Sequence, residues 1–242
     1  MSPRVTWAVA ARVLRQLRHD HRTLAMLLVL PCLILALLRW MYDASPSMFD
    51  LLGPALLAIV PLIVMFLVTS VTMLRERSSG TLERLLAMPV GKLDLLLGYA
   101  LAFGLLGTLQ SGLAVALCVG PLGMTVEGAV GELVVVAVAD ALLGTSFGLF
   151  VSAFARTEFQ AVQFMPAAVF PQLLLCGLFV PRDQLPTGLD VVSDLLPLSY
   201  AVDAMTQVAQ HGGDVWSELA VVVGCTVVLL GLGAATLRRR TA

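Results

Sequence analysis

The chain has 242 residues, of which 59% are hydrophobic and only 13% charged, and its formal net charge is −1. Ordinary soluble domains are roughly 45–50% apolar and about 25% charged, so this composition excludes a water-soluble globular protein. Several runs of about 20 apolar residues match the roughly 30 Å hydrocarbon layer of a bilayer. The sequence therefore predicts an all-α integral membrane protein, with a single transmembrane domain over residues 1–242 and no nucleic-acid partner.

Residues 1–23 precede the first apolar run and predict an amphipathic helix at the membrane interface. If residues 3–22 are helical, one face carries Trp7, Ala10, Leu14 and Leu17, and the opposite face carries Arg4, Arg12, Arg15, His19 and Arg22. Such a helix would lie along the inner membrane surface, where its arginines would meet anionic lipid or an acidic partner. An equally good interpretation is that these basic residues only orient the first span.

Six membrane spans are predicted from the apolar runs. They cover residues 24–42, 51–74, 95–118, 133–155, 159–181 and 217–236. All of the 15 lysines and arginines except Arg39 and Arg182 lie before the first span or after an even-numbered span. The positive-inside rule therefore predicts that both termini are cytoplasmic, and the first span is expected to remain as an anchor and not to be cleaved as a signal peptide.

Residues 75–94 separate the second span from the third and read RERSSGTLERLLAMPVGKLD, a polar loop in an apolar chain. Ser78 to Gly80 are turn and cap residues, so a short helix is predicted to begin near Thr81 and to end at Pro89. Its apolar side consists of Leu82, Leu85, Leu86 and Pro89, which follow helical spacing. This pattern fits either a docking element on the cytoplasmic surface or an ordinary polar loop.

A few side chains inside the predicted spans are candidates for a substrate pathway. Asp140 is the only carboxylate deep in a span, where a charge is costly, and it fits either a pathway role or an internal hydrogen bond. The weaker polar candidates are Gln110, Ser111, Gln160, Gln163 and Gln172. Phe147, Phe164 and Met165 fit the lining of a hydrophobic cavity, although stripes of this kind also fit helix packing.

Residues 144–148 read GTSFG, which matches a nucleophile pattern of serine hydrolases. A nucleophilic Ser146 would need a histidine within hydrogen-bond reach, and all three histidines lie outside the predicted spans. Gly144 and Gly148 also form a small-residue seam for close helix packing, which is the favoured interpretation. The four cysteines lack metal-ligand spacing, so no catalytic residue, metal or cofactor is predicted in this chain.

Residues 182–216 are the one long segment between spans, and they contain many leucines and valines. Pro186 and Pro197 divide this segment into short pieces. Irregular backbone at membrane depth survives only when it is buried in protein or lines a cavity. The sequence therefore predicts two short helices that re-enter the membrane from the outer side.

Three segments carry a family pattern, namely RERSSGTLERLLAMP, FARTEFQAVQFMPAAVFPQLLLCGLFVPRDQLP and LPLSYAVDAM. Together they resemble permease subunits of ATP-binding-cassette (ABC) transporters of the type-2 export class, over essentially the whole chain. The resemblance implies that residues 75–94 hold a coupling helix that docks on a separate ATPase, with a second contact at the turn after the fourth span. The implied contact residues are Glu76, Gly80, Thr81, Leu82, Glu83, Leu86 and Pro89 in the loop, and Arg156, Thr157 and Glu158 in the turn.

The same resemblance implies an exporter of a hydrophobic or amphipathic compound, such as a drug, an antibiotic or a lipid-like molecule, in the bacterial cell membrane. Since the sequence contains no G-x-x-x-x-G-K-[ST] loop, ATP and Mg²⁺ are expected in two copies of a separate ATPase subunit. A second permease subunit, identical or different, and membrane lipid would complete the assembly. The alternatives are an ion-coupled secondary transporter, which would need ion sites near the midplane, and an intramembrane serine protease.

Overall fold

The computed structural model describes residues 2–81 and 91–236, and within these ranges all regular secondary structure is helical. The α-helices are α1 (Pro3–His19), α2 (His21–Met41), α3 (Pro46–Ser78), α4 (Lys92–Val119), α5 (Val130–Val151), α6 (Glu158–Leu175), α7 (Thr187–Asp194), α8 (Pro197–Gln210) and α9 (Trp216–Thr236), with a 3-10 turn at Arg182–Gln184. Five of these helices, α2, α3, α4, α5 and α9, are long and apolar enough to cross a membrane. The prediction of an all-α, multi-pass membrane protein is confirmed.

The predicted fifth span differs from the structure. It was expected over residues 159–181, but α6 ends at Leu175, and α6 is not among the five helices with the length and hydropathy of a span. Gly177 has φ +91°, a backbone conformation that favours glycine, so the chain leaves the helical path before residue 181. Six crossings therefore stay a prediction.

The centre of the bundle is the close contact between α3 and α5. A Cβ added to Gly144 would lie 2.4 Å from the carbonyl oxygen of Leu62, and one added to Gly148 would lie 2.6 Å from that of Phe66. The two contacts advance in the same direction along both helices, so α3 and α5 run parallel. Ser146 donates its hydroxyl to the carbonyl of Leu142 in its own helix, at 2.8 Å. The predicted small-residue seam is confirmed, and it accounts for the GTSFG pattern.

Two further helices are added through small residues: α4 packs on α5, and α1 packs on α4. On α4, Ser111 donates its hydroxyl to the carbonyl of Ala137 in α5, at 3.0 Å. Also on α4, a Cβ added to Gly98 would lie 2.6 Å from side-chain atoms of Val9 in α1. Small residues allow helix backbones to approach closely where hydrophobic driving force is absent, and they bring α1 directly against the bundle.

The buried face of α1 differs from the predicted one. The structure buries Val9, Ala10, Val13 and Leu17, whereas Trp7, which was expected on the same face as Ala10, is 61% exposed. Arg12, which was expected on the far polar face, instead turns toward Glu76 of α3. The physical reason is that α1 contacts both α3 and α4. These two helices bury a different strip of α1 from the one that a flat membrane surface would bury.

The segment after α6 forms two short helices, α7 and α8, as predicted. Most of α8 is buried against α3, α5 and α9, and its Gln210 donates to the carbonyl of Asp50 at 3.2 Å. Pro54 has no N–H and cannot satisfy that carbonyl within α3, so Gln210 replaces the missing donor. On α7, Val191 and Val192 are exposed apolar side chains. The depth of both helices in the membrane stays a prediction.

Candidate functional site

The candidate site lies at the end of the bundle formed by α1, the last turns of α3 and the first turns of α4 and α6, here called the α1 end. The backbone N–H of Ser2 donates to Asp94 Oδ1 at 3.0 Å. Ten residues further along α1, Arg12 Nη2 donates to both carboxylate oxygens of Glu76, at 2.9 and 2.8 Å. Because Asp94 lies in the first turn of α4 and Glu76 lies near the end of α3, α1 lies across these two helix ends.

Glu76 is a predicted contact residue whose side chain is directed into the protein. It is 3% exposed, and its carboxylate is engaged by Arg12. A buried carboxylate needs such a partner because removing a charge from water is costly. The structure therefore gives the Glu76 side chain a positioning role for α1, and its contact with another subunit stays a prediction.

The described start of the loop contacts the turn of residues 156–158 at the α1 end. Arg75 Nε donates to Glu158 Oε1 at 2.8 Å, and Arg75 Nη2 donates to Glu158 Oε2 at 3.2 Å. This bidentate pair joins the end of α3 to the start of α6, although the two residues are 83 positions apart in the sequence. Both side chains are more than half exposed, so the pair stands at the surface of the protein.

The turn before α6 is held by two reciprocal side-chain caps, a variant of the capping box, that were not predicted from the sequence. Thr157 Oγ1 accepts from the backbone N–H of Gln160 at 3.1 Å, and Gln160 Oε1 accepts from the N–H of Arg156 at 2.8 Å. The sequence signal is the Thr-x-x-Gln spacing of residues 157–160. It fixes the direction in which α6 leaves the turn, and Arg156, Thr157 and Glu158 are all exposed there.

The end of α3 leads into the other predicted contact segment. The N–H of Ser79 donates to the carbonyl of Arg75 at 3.0 Å, and Gly80 follows with φ +70°, a conformation that favours glycine. The hydroxyls of Ser79 and Thr81 are 2.9 Å apart. The remaining predicted contact residues, Leu82, Glu83, Leu86 and Pro89, lie outside the described residues.

Asp20 forms the joint between α1 and α2. Its Oδ1 accepts from the N–H of Thr23 at 3.1 Å, and its Oδ2 accepts from the hydroxyl of Thr23 at 2.7 Å. The hydrogen bonds from Thr23 lower the pKa of Asp20 below its ordinary value. The sequence signal was an N-cap aspartate three residues before a threonine, and it was not used in the sequence analysis.

The predicted pathway residues do not form one cluster in this chain. Asp140 and Gln110 are fully buried, and neither the carboxylate of Asp140 nor the amide of Gln110 has a hydrogen-bond partner among residues 2–81 and 91–236. Gln163 is exposed on α6, while Phe164 and Met165 are partly buried. A pathway role for these residues stays a prediction.

Phe147 is the predicted pathway residue that borders an open space. Its ring lies 6.5 Å from that of Phe66, centroid to centroid, and it packs on the main core. It also lines an apolar cleft of about 390 Å³ together with Pro197, Val221 and Val228. This cleft lies between α5, α8 and α9, away from the α1 end.

A family model described as "ABC-2 type transporter" matches residues 4–209 of the chain. The chain belongs to the ABC-2 type transporter family. The resemblance carried by the three sequence segments is thereby confirmed, and membership of this family favours a transport permease over an ion-coupled transporter or a protease.

Similar proteins occur in several organisms. The chain is 26% identical over 203 residues to ABC transporter G family member 20 of Dictyostelium discoideum, covering 82% of this chain and 28% of that protein. It is 25% identical over 190 residues to the probable multidrug ABC transporter permease YbhR of Escherichia coli strain K12, covering 77% and 52%. It is also 25% identical over 165 residues to the linearmycin resistance permease protein LnrN of Bacillus subtilis strain 168, covering 68% and 42%. The chain spans about half the length of these bacterial relatives, and less of the first.

Proposed function

We propose that this ABC-2 chain is the membrane-spanning permease of an ATP-driven exporter, and that a separate ATPase drives it through the α1 end. The observation that carries the proposal is the Arg75–Glu158 pair, which joins the described start of the loop, residues 75–81, to the turn of residues 156–158. A partner that displaces this ion pair would move the end of α3 and the start of α6 together. The Arg12–Glu76 pair adds α1 to the same unit.

The proposed topology has six crossings, with α6 as the fifth, and the α1 end in the cytoplasm. At about 1.5 Å per residue, the 18 residues of α6 are roughly 27 Å long, close to the hydrocarbon thickness. Exposed arginines at Arg4, Arg15, Arg18 and Arg22 support the cytoplasmic placement of the α1 end and a contact of α1 with anionic lipid. With six crossings both termini are cytoplasmic, and α7 and α8 re-enter from the outer side of a bacterial cell membrane.

A second permease subunit, identical or different, would complete the pathway. The support is the exposed apolar surface of α6, on which Phe170 and Leu174 are 55% and 60% exposed, and the exposed position of Gln163 on the same helix. Two ATPase subunits would bind ATP and Mg²⁺, and this chain would contribute no catalytic residue or cofactor site.

The proposed cargo is a hydrophobic or amphipathic compound, such as a drug or an antibiotic. The names of two relatives, a probable multidrug permease and a linearmycin resistance permease, support this class. In the proposed cycle, ATP binding to the partner moves the α1 end. The α3–α5 seam would transmit the displacement of the α1 end, because the backbones of the two helices are in direct contact at Gly144 and Gly148.

Co-purification of ATP hydrolysis tests this proposal. The tagged full chain is expressed in its native host, extracted in mild detergent and assayed for bound ATPase and for cargo-stimulated hydrolysis. Glu83→Arg and Leu86→Glu should abolish one or both activities, whereas Glu127→Arg, an exposed residue far from the α1 end, should leave them unchanged. Retention of both activities in the loop variants, or transport without nucleotide hydrolysis, would contradict the proposal.

The ion pair is tested by exchange of its charges. Arg75→Glu alone places two carboxylates together and should uncouple ATP hydrolysis from transport. The exchanged pair, Arg75→Glu with Glu158→Arg, should restore part of the coupling. If the double variant is no better than the single one, the pair does not join the two contact segments functionally.

A further inference from the structure

The opposite end of the bundle is formed by the first turns of α3 and α9 and by α7 and α8, here called the α8 end. A cavity of about 550 Å³ opens there between α3, the segment of residues 176–182, α8 and α9. Its apolar wall includes Leu51, Leu178 and Phe179. Its volume falls within the roughly 300–1,000 Å³ of small-molecule sites in proteins, and the wall could cover the apolar body of such a molecule.

The charged side of the cavity carries more acid than base. Its arginine, Arg182, already forms ion pairs with both Asp194 and Asp203, and its guanidinium carbon lies 5.4 Å from the centre of the Tyr200 ring. Arg182 Nε has no acceptor among the described residues, but the guanidinium as a whole faces two carboxylates. The positive charge of Arg182 is therefore already compensated before any ligand enters.

Glu218 adds a further carboxylate to this lining. Within the described ranges no lysine or arginine forms a salt bridge with it, and its contact is the hydroxyl of Ser217, which donates to Oε2 at 2.8 Å. His211 is the other ionisable lining residue. The carboxylates of Glu218 and Asp203 thus line the same space as a single arginine, Arg182, which pairs with Asp203 and also with Asp194.

The amide side chains of the lining add acceptors. Gln207 donates its Nε2 to the carbonyl of Asp214 at 3.1 Å, and Gln210 donates its Nε2 to the carbonyl of Asp50 at 3.2 Å. Gln210 also donates to the carbonyl of Leu51 at 3.3 Å, so both of its N–H groups are used and its amide oxygen remains as an acceptor, whereas Gln207 keeps one N–H and its oxygen. Together with the carboxylates of Glu218 and Asp203, this polar wall suits a positively charged group better than a negatively charged one.

We propose that the cavity at the α8 end binds an amphipathic organic cation, a protonated amine or a quaternary onium group on an apolar body. Glu218 and Asp203 would face the charge, and Phe179, Leu178 and Leu51 would cover the apolar part, with the exposed Phe179 ring adding a cation–π contact. Burial raises the pKa of Asp203, against the lowering effect of Arg182, and the carboxylate of Glu218 raises it further. A bound cation would stabilise the ionised form of Asp203. As a cargo site the cavity rests on the proposed export function, but its preference for cations does not.

Direct binding to the purified full chain in lipid nanodiscs, without nucleotide or ATPase, tests the proposal. Tetraphenylphosphonium and tetraphenylborate have almost the same shape and opposite charge, so their comparison isolates the effect of charge. We expect saturable binding of the cation, weakened about tenfold by Glu218→Gln, which removes a charge-assisted contact, and little or no effect of this variant on the anion. The matched control, Glu132→Gln, changes a carboxylate of α5 that borders a different cleft and should leave cation binding unchanged.

A second variant keeps the test decisive if Glu218→Gln perturbs the fold. Phe179 is exposed, so Phe179→Ala should preserve the fold and weaken cation binding severalfold through the apolar wall. Equal affinity of the two ions, or equal cation affinity in Glu218→Gln and Glu132→Gln, would overturn the cation site. Failure of the proposed function has a different signature, because cation binding would then persist while nucleotide-driven transport in vesicles is absent.

Discussion

The two ends of the molecule use the same ionic groups in different proportions. At the α1 end, Arg12 pairs with Glu76 and Arg75 pairs with Glu158, so each of these cations meets one carboxylate. At the α8 end, Arg182 meets two carboxylates, and a cavity lies beside them. Balanced pairs hold helices together and leave no surplus charge, whereas surplus acid beside an apolar wall can recognise a cation. The number of carboxylates around each arginine therefore distinguishes the positioning contacts of the α1 end from the candidate binding site at the α8 end.

The two ends also differ in what they join. The pairs at the α1 end connect α1 with α3 and α3 with α6, which are remote in the sequence and form part of the bundle itself. The pairs at the α8 end connect the segment after α6 with α7 and α8, which are neighbours along the chain. A change at the α1 end should therefore disturb the whole bundle, whereas a change at the α8 end should stay local.

The largest expected effect comes from the seam that connects the two ends. Gly144→Ala would place a Cβ 2.4 Å from the carbonyl oxygen of Leu62, so the backbone would have to move. We expect the free energy of unfolding in detergent to fall by about 3 kcal/mol. At Gly224 an added Cβ meets no described atom within 4 Å, so the control Gly224→Ala should be neutral or stabilising. Equal stability of the two variants would contradict a rigid connection between the ends.

The next largest effect should distinguish the two ion pairs of the α1 end. Glu76 is almost fully buried and Glu158 is half exposed. Glu76→Gln leaves the partly buried Arg12 without a counter-charge and should lower the free energy of unfolding by about 2 kcal/mol. The same substitution at Glu158 should cost less than about 1 kcal/mol. Thermal unfolding of both purified variants provides the comparison, and a larger loss for Glu158→Gln would reverse our ranking.

At the α8 end, the matched pair of variants is Arg182→Gln and Arg39→Gln. Arg182 compensates two carboxylates, whereas Arg39 pairs with Asp43, which is largely exposed. We expect Arg182→Gln to lower the free energy of unfolding by about 1–2 kcal/mol, because it leaves Asp194 and Asp203 close together without a cation, and to increase hydrogen exchange in α7 and α8. Arg39→Gln should have less effect on both measurements. Increased exchange at the α1 end in Arg182→Gln would show that the disturbance is not local.

The smallest effect is a pH dependence at the joint between α1 and α2. Hydrogen bonds from Thr23 lower the pKa of Asp20 in the folded protein, so the stabilisation is present above the ordinary pKa and is lost as the pH falls through the folded-state value. The unfolding midpoint should therefore drop as the pH is lowered from about 6 to 3. Asp20→Asn, which keeps a capping side chain but does not titrate there, should show less of this drop. An identical pH profile in both proteins would remove Asp20 as its source.

Most helices and their approximate bounds follow from the local pattern of the amino-acid sequence. Long apolar runs bounded by charged or turn residues can only satisfy their backbone groups in a membrane as helices. Five of the predicted spans therefore coincide with helices that are long and apolar enough to cross a membrane, and the segment after α6 contains the two short helices α7 and α8. The spacing of Gly144 and Gly148 also indicated close packing, because residues four apart lie on one face of a helix. These features depend on neighbours along the chain, and the sequence contains them directly.

Contacts between side chains that are remote in the sequence depend on how the helices pack. Arg12 and Glu76 are 64 positions apart and Arg75 and Glu158 are 83 apart, so no local spacing predicts either pair. The buried face of α1 followed from its contact with two helices at once, and the end of α6 followed from the turn at Gly177. The cavity at the α8 end likewise requires four separate segments to converge. Periodicity reports the faces of one helix, whereas ion pairs and cavities depend on how several helices pack, and that arrangement is set by the whole chain.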